Sequence, residues 1–327
     1  MIKILYSLSG RDMIGIAFIG SGKSLVFILP VILLCLAEEK KMHLEPNEGP
    51  FAIIIVPSRE LAVQIHENIN YFIKYLLRNG EPQISSVLCI GGVDIRYQIE
   101  EIQKGAHIVI GTPGRLSDLL DKRKLNSFMC KILVLDEADR LLDMGFDEEV
   151  RKVMERFKYP KQLLLFSSTM PKKIQEFAKQ SLFKPIVINI GRAGSVNLNV
   201  IQEIEFVKDE SKLIQILETL EKTPPPVLIF CENKNDVDEI HEYLVLKGID
   251  VCSMHGDREQ EERHQAIREF REGIKDVLVA TDIVSKGLDF PEVEHVINYD
   301  MPKEVIVFHL IISRLKIMFS ELAVLED

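Results

Sequence analysis

A surplus of positive charge is missing from this chain: 50 Asp and Glu outweigh 40 Lys and Arg over 327 residues, a net charge of −10. That balance excludes adhesion to nucleic acid through a broad basic field, so any such contact must be local. Cysteine is sparse, and Cys35, Cys89, Cys130, Cys231 and Cys252 stand in or beside apolar segments without C-x-x-C spacing. The pattern argues against a zinc or disulfide framework and for buried thiols in a reducing compartment. Long hydrophobic runs are absent too. The stretch Leu25 to Ala37 holds 13 residues and is interrupted by Pro30, short of the ~20 that a membrane-spanning helix needs, and is expected to form a buried helix. Met1 to Leu8 shows no charged segment ahead of a long apolar core. No signal peptide is therefore expected, and the protein is expected inside the cell with no membrane partner. Low-complexity tracts and short-period repeats are also missing, and a hydrophobic fraction of 46% with a charged fraction of 28% belongs to a globular chain.

What is present is a repeating alternation. Short apolar runs at Ala52–Val56, Ser86–Cys89, Ile108–Ile110, Ile132–Leu135, Leu163–Phe166 and Ile186–Ile188 read as strands. Between them Glu60–Leu77, Arg96–Lys104 and Glu148–Phe157 carry apolar residues at three-to-four spacing, the mark of covering helices. Around Gly191-Arg192-Ala193-Gly194-Ser195 the pattern breaks and a second series begins. Its strands are expected at Ile204–Val207, Val227–Phe230, Val251–Met254, Val277–Ala280 and His295–Asn298, its helices at Leu213–Leu220, Val237–Leu246 and Gln260–Glu272. The length is that of two α/β domains with parallel sheets: a first lobe over 1–190, a linker over 191–200 and a second lobe over 201–327.

The densest chemistry is Asp136-Glu137-Ala138-Asp139, directly after the run Ile132 to Leu135. A buried strand that ends in three carboxylates needs a cation or strong donors to offset their burial. Carboxyl ends of parallel strands are where ligands bind, and Mg²⁺ carried by a phosphate ligand is the natural candidate. Upstream, Ala17-Phe18-Ile19-Gly20-Ser21-Gly22-Lys23-Ser24 precedes a helix-length apolar stretch. Read as a phosphate cradle, its glycines turn N–H groups toward the anion, Lys23 reaches the β- and γ-phosphates, and Ser24 offers a hydroxyl to Mg²⁺. By itself such a turn is equally the start of a helix, and Ala17 stands where the strict pattern has Gly. The strand ending in Asp136 supplies the second half of a metal site.

Further markers follow in a fixed order: Pro57-Ser58-Arg59-Glu60-Leu61-Ala62, Gly91-Gly92, Thr112-Pro113-Gly114-Arg115, Ser167-Ser168-Thr169, and Thr281-Asp282 through Gly287-Leu288-Asp289. Each in isolation is also a loop, a turn before a helix or a polar strand end. Together with the two nucleotide motifs they make the chain resemble a DEAD-box ATP-dependent RNA helicase over nearly its whole length, and within that family the Abstrakt type. The resemblance implies two RecA-like lobes of helicase superfamily 2, a P-loop NTPase fold that binds ATP in the cleft between lobes and grips single-stranded RNA. It also implies roles. Asp136 and Ser24 hold Mg²⁺, partly through water, and Glu137 activates the attacking water. Ala17, Ile19, Gly20, Ser21, Gly22, Lys23 and Ser24 contact the nucleotide, joined by Asp289 and Arg314 from the second lobe. Asp139 bonds toward Ser167 and Thr169, coupling the phosphate site to the RNA side. Pro57, Arg59, Gly91, Gly92, Thr112, Pro113, Gly114 and Arg115, with Thr281 and Gly287, meet the RNA backbone without reading its sequence. Further implications are a monomer, a nuclear or else cytoplasmic location, spliceosomal proteins as partners and a role in mRNA splicing. His255 has no Cys or His partner at metal-ligand spacing and reads as a locally satisfied residue.

Departures from the family pattern cluster near the C-terminus. An arginine-rich motif patterned H-R-x-G-R-x-G-R falls on Leu310 to Ile317, where Arg314 alone matches an arginine and Ile317 stands in the place of the arginine finger. Such a finger supplies on the order of 10³ to 10⁵ in rate. Ser168 replaces the usual Ala and adds a hydroxyl, while Ile19 replaces the usual Thr. The second lobe is expected to be incomplete, with Leu310 to Leu325 forming an apolar helix, and the adenine-reading glutamine is expected to lie before Met1. Two functions are therefore weighed: an ATP-dependent helicase, and a nucleotide- and RNA-binding module without turnover. A small-molecule kinase sharing the cradle is disfavoured by the D-E-A-D strand end, S-x-T, T-P-G-R and the second lobe.

Overall fold

Apolar runs buried on both faces form parallel sheets here, because a helical crossover returns the chain to the same sheet edge after each strand. The computed structural model describes residues 7–17, 22–157, 161–190, 201–281, 293, 295–300 and 318–324. The chain divides into two compact units, Met1–Ala193 and Gly194–Asp327. Both are RecA-like lobes.

In the first lobe the strands are β1 (Met13–Ala17), β2 (Ala52–Ile55), β3 (Ser86–Cys89), β4 (Ile108–Gly111), β5 (Ile132–Leu135), β6 (Gln162–Ser167) and β7 (Ile186–Ile190). They form one sheet in the order β3-β4-β2-β5-β6-β1-β7, every pair parallel. Period-two alternation sends successive residues to opposite faces. Thus Ile132 and Val134 join a core with helices α1 (Lys23–Lys41) and α2 (Arg59–Arg78). Leu133 and Leu135 join a second core on the side of α3 (Ile95–Gln103), α4 (Pro113–Asp121), α5 (Ala138–Asp143), α6 (Asp147–Glu155) and α7 (Lys172–Ser181). Helix α1 runs through Pro30 without a break because Val26, Phe27, Ile28, Val31, Ile32 and Cys35 are all buried along it. Pro30 removes one backbone donor, and the buried face outweighs that loss.

Strand β1 is not anticipated by the run-length reading, since Gly15 interrupts a short apolar stretch. The ring of Phe166 on the neighbouring β6 explains the glycine: a Cβ at position 15 would lie 2.7 Å from Phe166 Cδ1.

The second lobe contains β8 (Ile201–Val207), α8 (Lys212–Leu220), β9 (Val227–Cys231), α9 (Lys234–Leu246), β10 (Val251–Met254), α10 (Gln260–Arg271), β11 (Val277–Thr281), β12 (His295–Asn298) and β13 (Met318–Val324). Its sheet has six described strands in the order β10-β11-β9-β12-β13-β8, against seven in the first lobe. The expected apolar helix over Leu310 to Leu325 is corrected: residues 318–324 are strand β13, parallel to both β12 and β8. The physical reason is backbone pairing. A strand in that slot satisfies the facing N–H and C=O groups of both neighbours, which a helix would leave unpaired. The remaining residues of that stretch, and the linker 191–200, lie outside the described residues. Among the described residues no helix is long and apolar enough to cross a membrane.

Candidate functional site

Because every strand of the first sheet is parallel, all carboxyl ends emerge at one edge, and six consecutive strands each deliver a sequence motif there. In sheet order these are Gly91-Gly92 past β3, Thr112 to Arg115 past β4, Pro57 to Arg59 past β2, Asp136 to Asp139 past β5, Ser167 to Thr169 at β6 and Gly22 to Ser24 past β1. At ~4.8 Å per strand this row spans roughly 24 Å. The phosphate-facing candidates of the RNA group occupy the β3-β4-β2 side, the nucleotide candidates the β5-β6-β1 side.

On the nucleotide side, Gly22 caps α1 in the left-handed region at φ 76° and ψ 26°, a conformation that glycine reaches without steric cost. Lys23 opens the helix, and its Nζ donates to Ser168 Oγ at 2.8 Å. Ser24 follows, partly exposed, and Ala17 is buried at the end of β1. Ile19, Gly20 and Ser21 lie outside the described residues.

Asp136, Glu137 and Asp139 are all buried. The Asp136 N–H donates to Ile55 O at 3.0 Å, and its Oδ1 accepts from the Glu137 N–H at 2.9 Å. Burial pushes the Asp136 carboxyl up to about 7, Lys23 pulls it down, and Glu137 and Asp139 add to the rise. Glu137 turns the chain from β5 into α5 with φ 51° and ψ 51°. A non-glycine residue held there stores strain of order 1 kcal/mol, a feature that concentrates at functional sites. Beside it lies Arg140, also buried, with Nε 3.6 Å from Glu137 Oε2.

Asp139 faces the end of β6. Its Oδ2 accepts from the N–H of Ser168 at 3.1 Å, the N–H of Thr169 at 2.9 Å and Thr169 Oγ1 at 2.9 Å. The expected bond toward Ser167 is not among these contacts, because the Ser167 hydroxyl donates to the Thr169 carbonyl at 2.7 Å. A single carboxylate thus holds the Ser168-Thr169 turn, while the hydroxyl of Ser168 remains available to Lys23.

On the other side of the edge, Arg59 opens α2 behind the cap of Ser58, whose side chain accepts from the Leu61 N–H at 3.2 Å. Arg59 lies over Gly91, where a Cβ would come within 2.9 Å of Nη2, and Gly92 takes φ 80°. Arg115 Nη1 donates to Val93 O at 3.2 Å. Buried Gln98, a residue the motif reading passes over, donates from Nε2 to Ile90 O at 2.9 Å and Val93 O at 3.4 Å. Gln98 thereby fixes both ends of the Gly91-Gly92 loop, and its placement one turn into α3 is the signal that could have found it. Thr112 caps α4 with Pro113 at its first position, and open space surrounds Gly114.

In the second lobe Thr281 closes β11. His255 is buried; its Nε2 accepts the Arg258 Nε–H at 3.2 Å and lies 3.3 Å from Asp238 Oδ1, while its buried Nδ1 has no partner among the described residues, so the expected local satisfaction reaches one ring nitrogen only. Gly287, Asp289, Arg314 and Ile317 lie outside the described residues.

The chain is similar in sequence and fold to known proteins. Residues 1–177 match the family model "DEAD/DEAH box helicase", and residues 209–316 match "Helicase conserved C-terminal domain". DEAD-box ATP-dependent RNA helicase 35A of Oryza sativa subsp. japonica is 60% identical, and ATP-dependent RNA helicase abstrakt of Drosophila melanogaster 56%. Each match covers 91% of this chain and 48% of the relative, so the chain spans about half the length of these proteins. Among solved structures, S. cerevisiae Dbp5 bound to RNA and ADP BeF3 superposes with a TM-score of 0.82 at 27% identity, covering 99% of this chain and 81% of that one. The yeast DEAD-box splicing factor Prp28 gives a TM-score of 0.54 at 27% identity, covering 97% and 72%. With the family match over residues 1–177, the D-E-A-D strand end, Lys23 at the start of α1 and two RecA-like sheets in place, the chain belongs to the DEAD/DEAH box helicase family.

Proposed function

We propose that this chain is an ATP-dependent RNA helicase, with a first lobe over 1–190, a linker over 191–200 and a second lobe over 201–327. The observation that carries the reading is the single carboxyl edge on which the nucleotide candidates and the RNA candidates stand side by side. Lys23 neutralises phosphate charge, and the backbone from Ala17 through Ile19, Gly20, Ser21 and Gly22 cradles it. Ser24 and Asp136 hold Mg²⁺, whose charge when bound offsets that of the phosphates. The fit rests on Asp136, whose buried carboxyl stands at the strand end beside Lys23 and Glu137 and is pushed up to about 7 by that burial, so a cation there would offset the cost of its charge. Glu137 orients and deprotonates the attacking water. Asp289 and Arg314 contact nucleotide from the second lobe.

Arg59 and Arg115, with the loops Gly91-Gly92 and Thr112-Pro113-Gly114 and with Pro57, face RNA phosphates, joined by Thr281 and Gly287 from the second lobe. Asp139 transmits occupancy between the two halves by holding Ser168 and Thr169, with Ser167 bracing the same turn. In support, Dbp5 was solved with both RNA and an ADP complex on the same fold. A nuclear location and spliceosomal partners draw support from Prp28, a splicing factor of this fold. ATP-dependent separation of a short RNA duplex tests the proposal. The chain is expected to separate strands with ATP, and Lys23→Ala is expected to abolish it; separation independent of ATP or of Lys23 would contradict the assignment.

A further inference from the structure

Helix α2 starts at the carboxyl edge with Arg59 and runs antiparallel to its flanking strands, toward the opposite edge of the first sheet. Its inner face, Leu61, Ala62, Ile65, Ile69 and Ile73, is buried. On its outer face Tyr71, Lys74, Tyr75 and Arg78 follow one another at i, i+3, i+4 and i+7, so they form one surface stripe. All four are exposed, and the tyrosines keep 71% and 62% of their surface open. Cations near a helix C-terminus are ordinary, since the dipole favours them. Two open tyrosines one turn apart are not accounted for in that way.

Phe72 meets Tyr71 edge-on with centroids 5.6 Å apart, which braces the ring. Among the described residues neither Lys74 nor Arg78 forms a salt bridge. Glu81, the acid just past the helix, is taken by Lys40 at 2.5 Å. The stripe from Tyr71 to Arg78 is therefore cationic and free of acids in a chain whose net charge is −10.

We infer that this stripe is a second contact for single-stranded nucleic acid, separate from the carboxyl edge. Tyr71 and Tyr75 stand ~6 Å apart along the axis and offer π faces to two bases, while Lys74 and Arg78 take the phosphates between and beyond them. Stacking platforms alternating with cations bind single strands without regard to sequence. An acidic peptide would use the two cations and leave both tyrosine faces idle. The stripe begins ~18 Å from Arg59 along the helix, so it serves only strands that reach past the carboxyl edge.

The test uses the full chain with labelled single-stranded RNAs of about 20 and about 5 nucleotides, the shorter filling one small site. Replacing Tyr71→Ala and Tyr75→Ala together is expected to weaken the longer strand at least about fivefold per tyrosine and leave the shorter unchanged. Lys74→Glu with Arg78→Glu should lower the slope of log affinity against log salt by ~0.7 per charge for the longer strand only, and circular dichroism should show an unchanged fold. Photocrosslinking of bromouridine RNA should mark Tyr71 or Tyr75. Unchanged affinity for the longer strand would overturn the inference, as would crosslinks confined to the carboxyl-edge loops. Loss of poly-glutamate binding with RNA affinity intact would overturn it in favour of an acidic peptide. Loss of the shorter strand's binding would instead count against the carboxyl-edge assignment.

Discussion

At the scale of single residues, the hydroxyl of Ser168 sets the resting position of Lys23. The family's usual alanine has no acceptor there, whereas in this chain Nζ donates to Oγ at 2.8 Å, a bond that must be exchanged when phosphate arrives. A hydrogen bond with a charged partner is worth roughly 1.5 to 3 kcal/mol. Ser168→Ala is accordingly expected to lower the Kd for ATP by about tenfold or more, read by titration with a fluorescent nucleotide. Asp139 carries more, because one buried carboxylate oxygen serves three donors. Asp139→Ala strips the N–H groups of Ser168 and Thr169 of their acceptor and should lower unfolding stability by about 3 kcal/mol, measured as a shift in the urea midpoint without a change in slope. Which β6 groups Asp139 would hold was only partly legible. The S-S-T spacing placed the turn beside the acid, but the choice of backbone N–H groups over the Ser167 hydroxyl depends on the register between β5 and β6, which no local pattern encodes.

At the scale of elements, the strands that carry the site were legible from apolar runs at Ala52, Ile108, Ile132 and Leu163, since strands buried on both faces are written as continuous apolar sequence. Strand β1 was not, because its central glycine answers to a ring on a different strand. Gly15→Val is expected to overpack against Phe166 and cost about 2 kcal/mol, again in urea unfolding. Strand β13 was misread for the complementary reason: its place is set by the empty ladder between β12 and β8, not by its own pattern. His295, which opens β12, shows how such a ladder responds to acid. Burial, followed by Lys222, drives its imidazole down from 6.5 to about 4, with Thr223 Oγ1 2.7 Å from Nδ1. Neutral His295 is the folded form, so its contribution is complete above pH 6.5 and is lost as pH falls toward 4. Over that window the wild type should lose on the order of 2 kcal/mol more than His295→Gln, checked by melts at matched pH values.

At the scale of the whole molecule, one sheet edge gathers the nucleotide and RNA candidates, while the residues that should meet the γ-phosphate from the second lobe are altered in sequence. Ile317 stands at the finger's place, so turnover is expected to be slow. Restoring Ile311→Arg and Ile317→Arg together should raise kcat by roughly 10³ or more, and an unchanged rate would remove the arginine motif from the explanation. The central claim is that the D-E-A-D strand end performs RNA-stimulated ATP hydrolysis. Its most direct test is the steady-state ATPase rate of the unmodified chain and of Glu137→Gln, each with and without single-stranded RNA. RNA is expected to raise the rate of the unmodified chain and leave Glu137→Gln at background, with nucleotide binding retained in both. An RNA-stimulated rate that survives Glu137→Gln, or no hydrolysis by the unmodified chain even with RNA at saturation, would contradict the account.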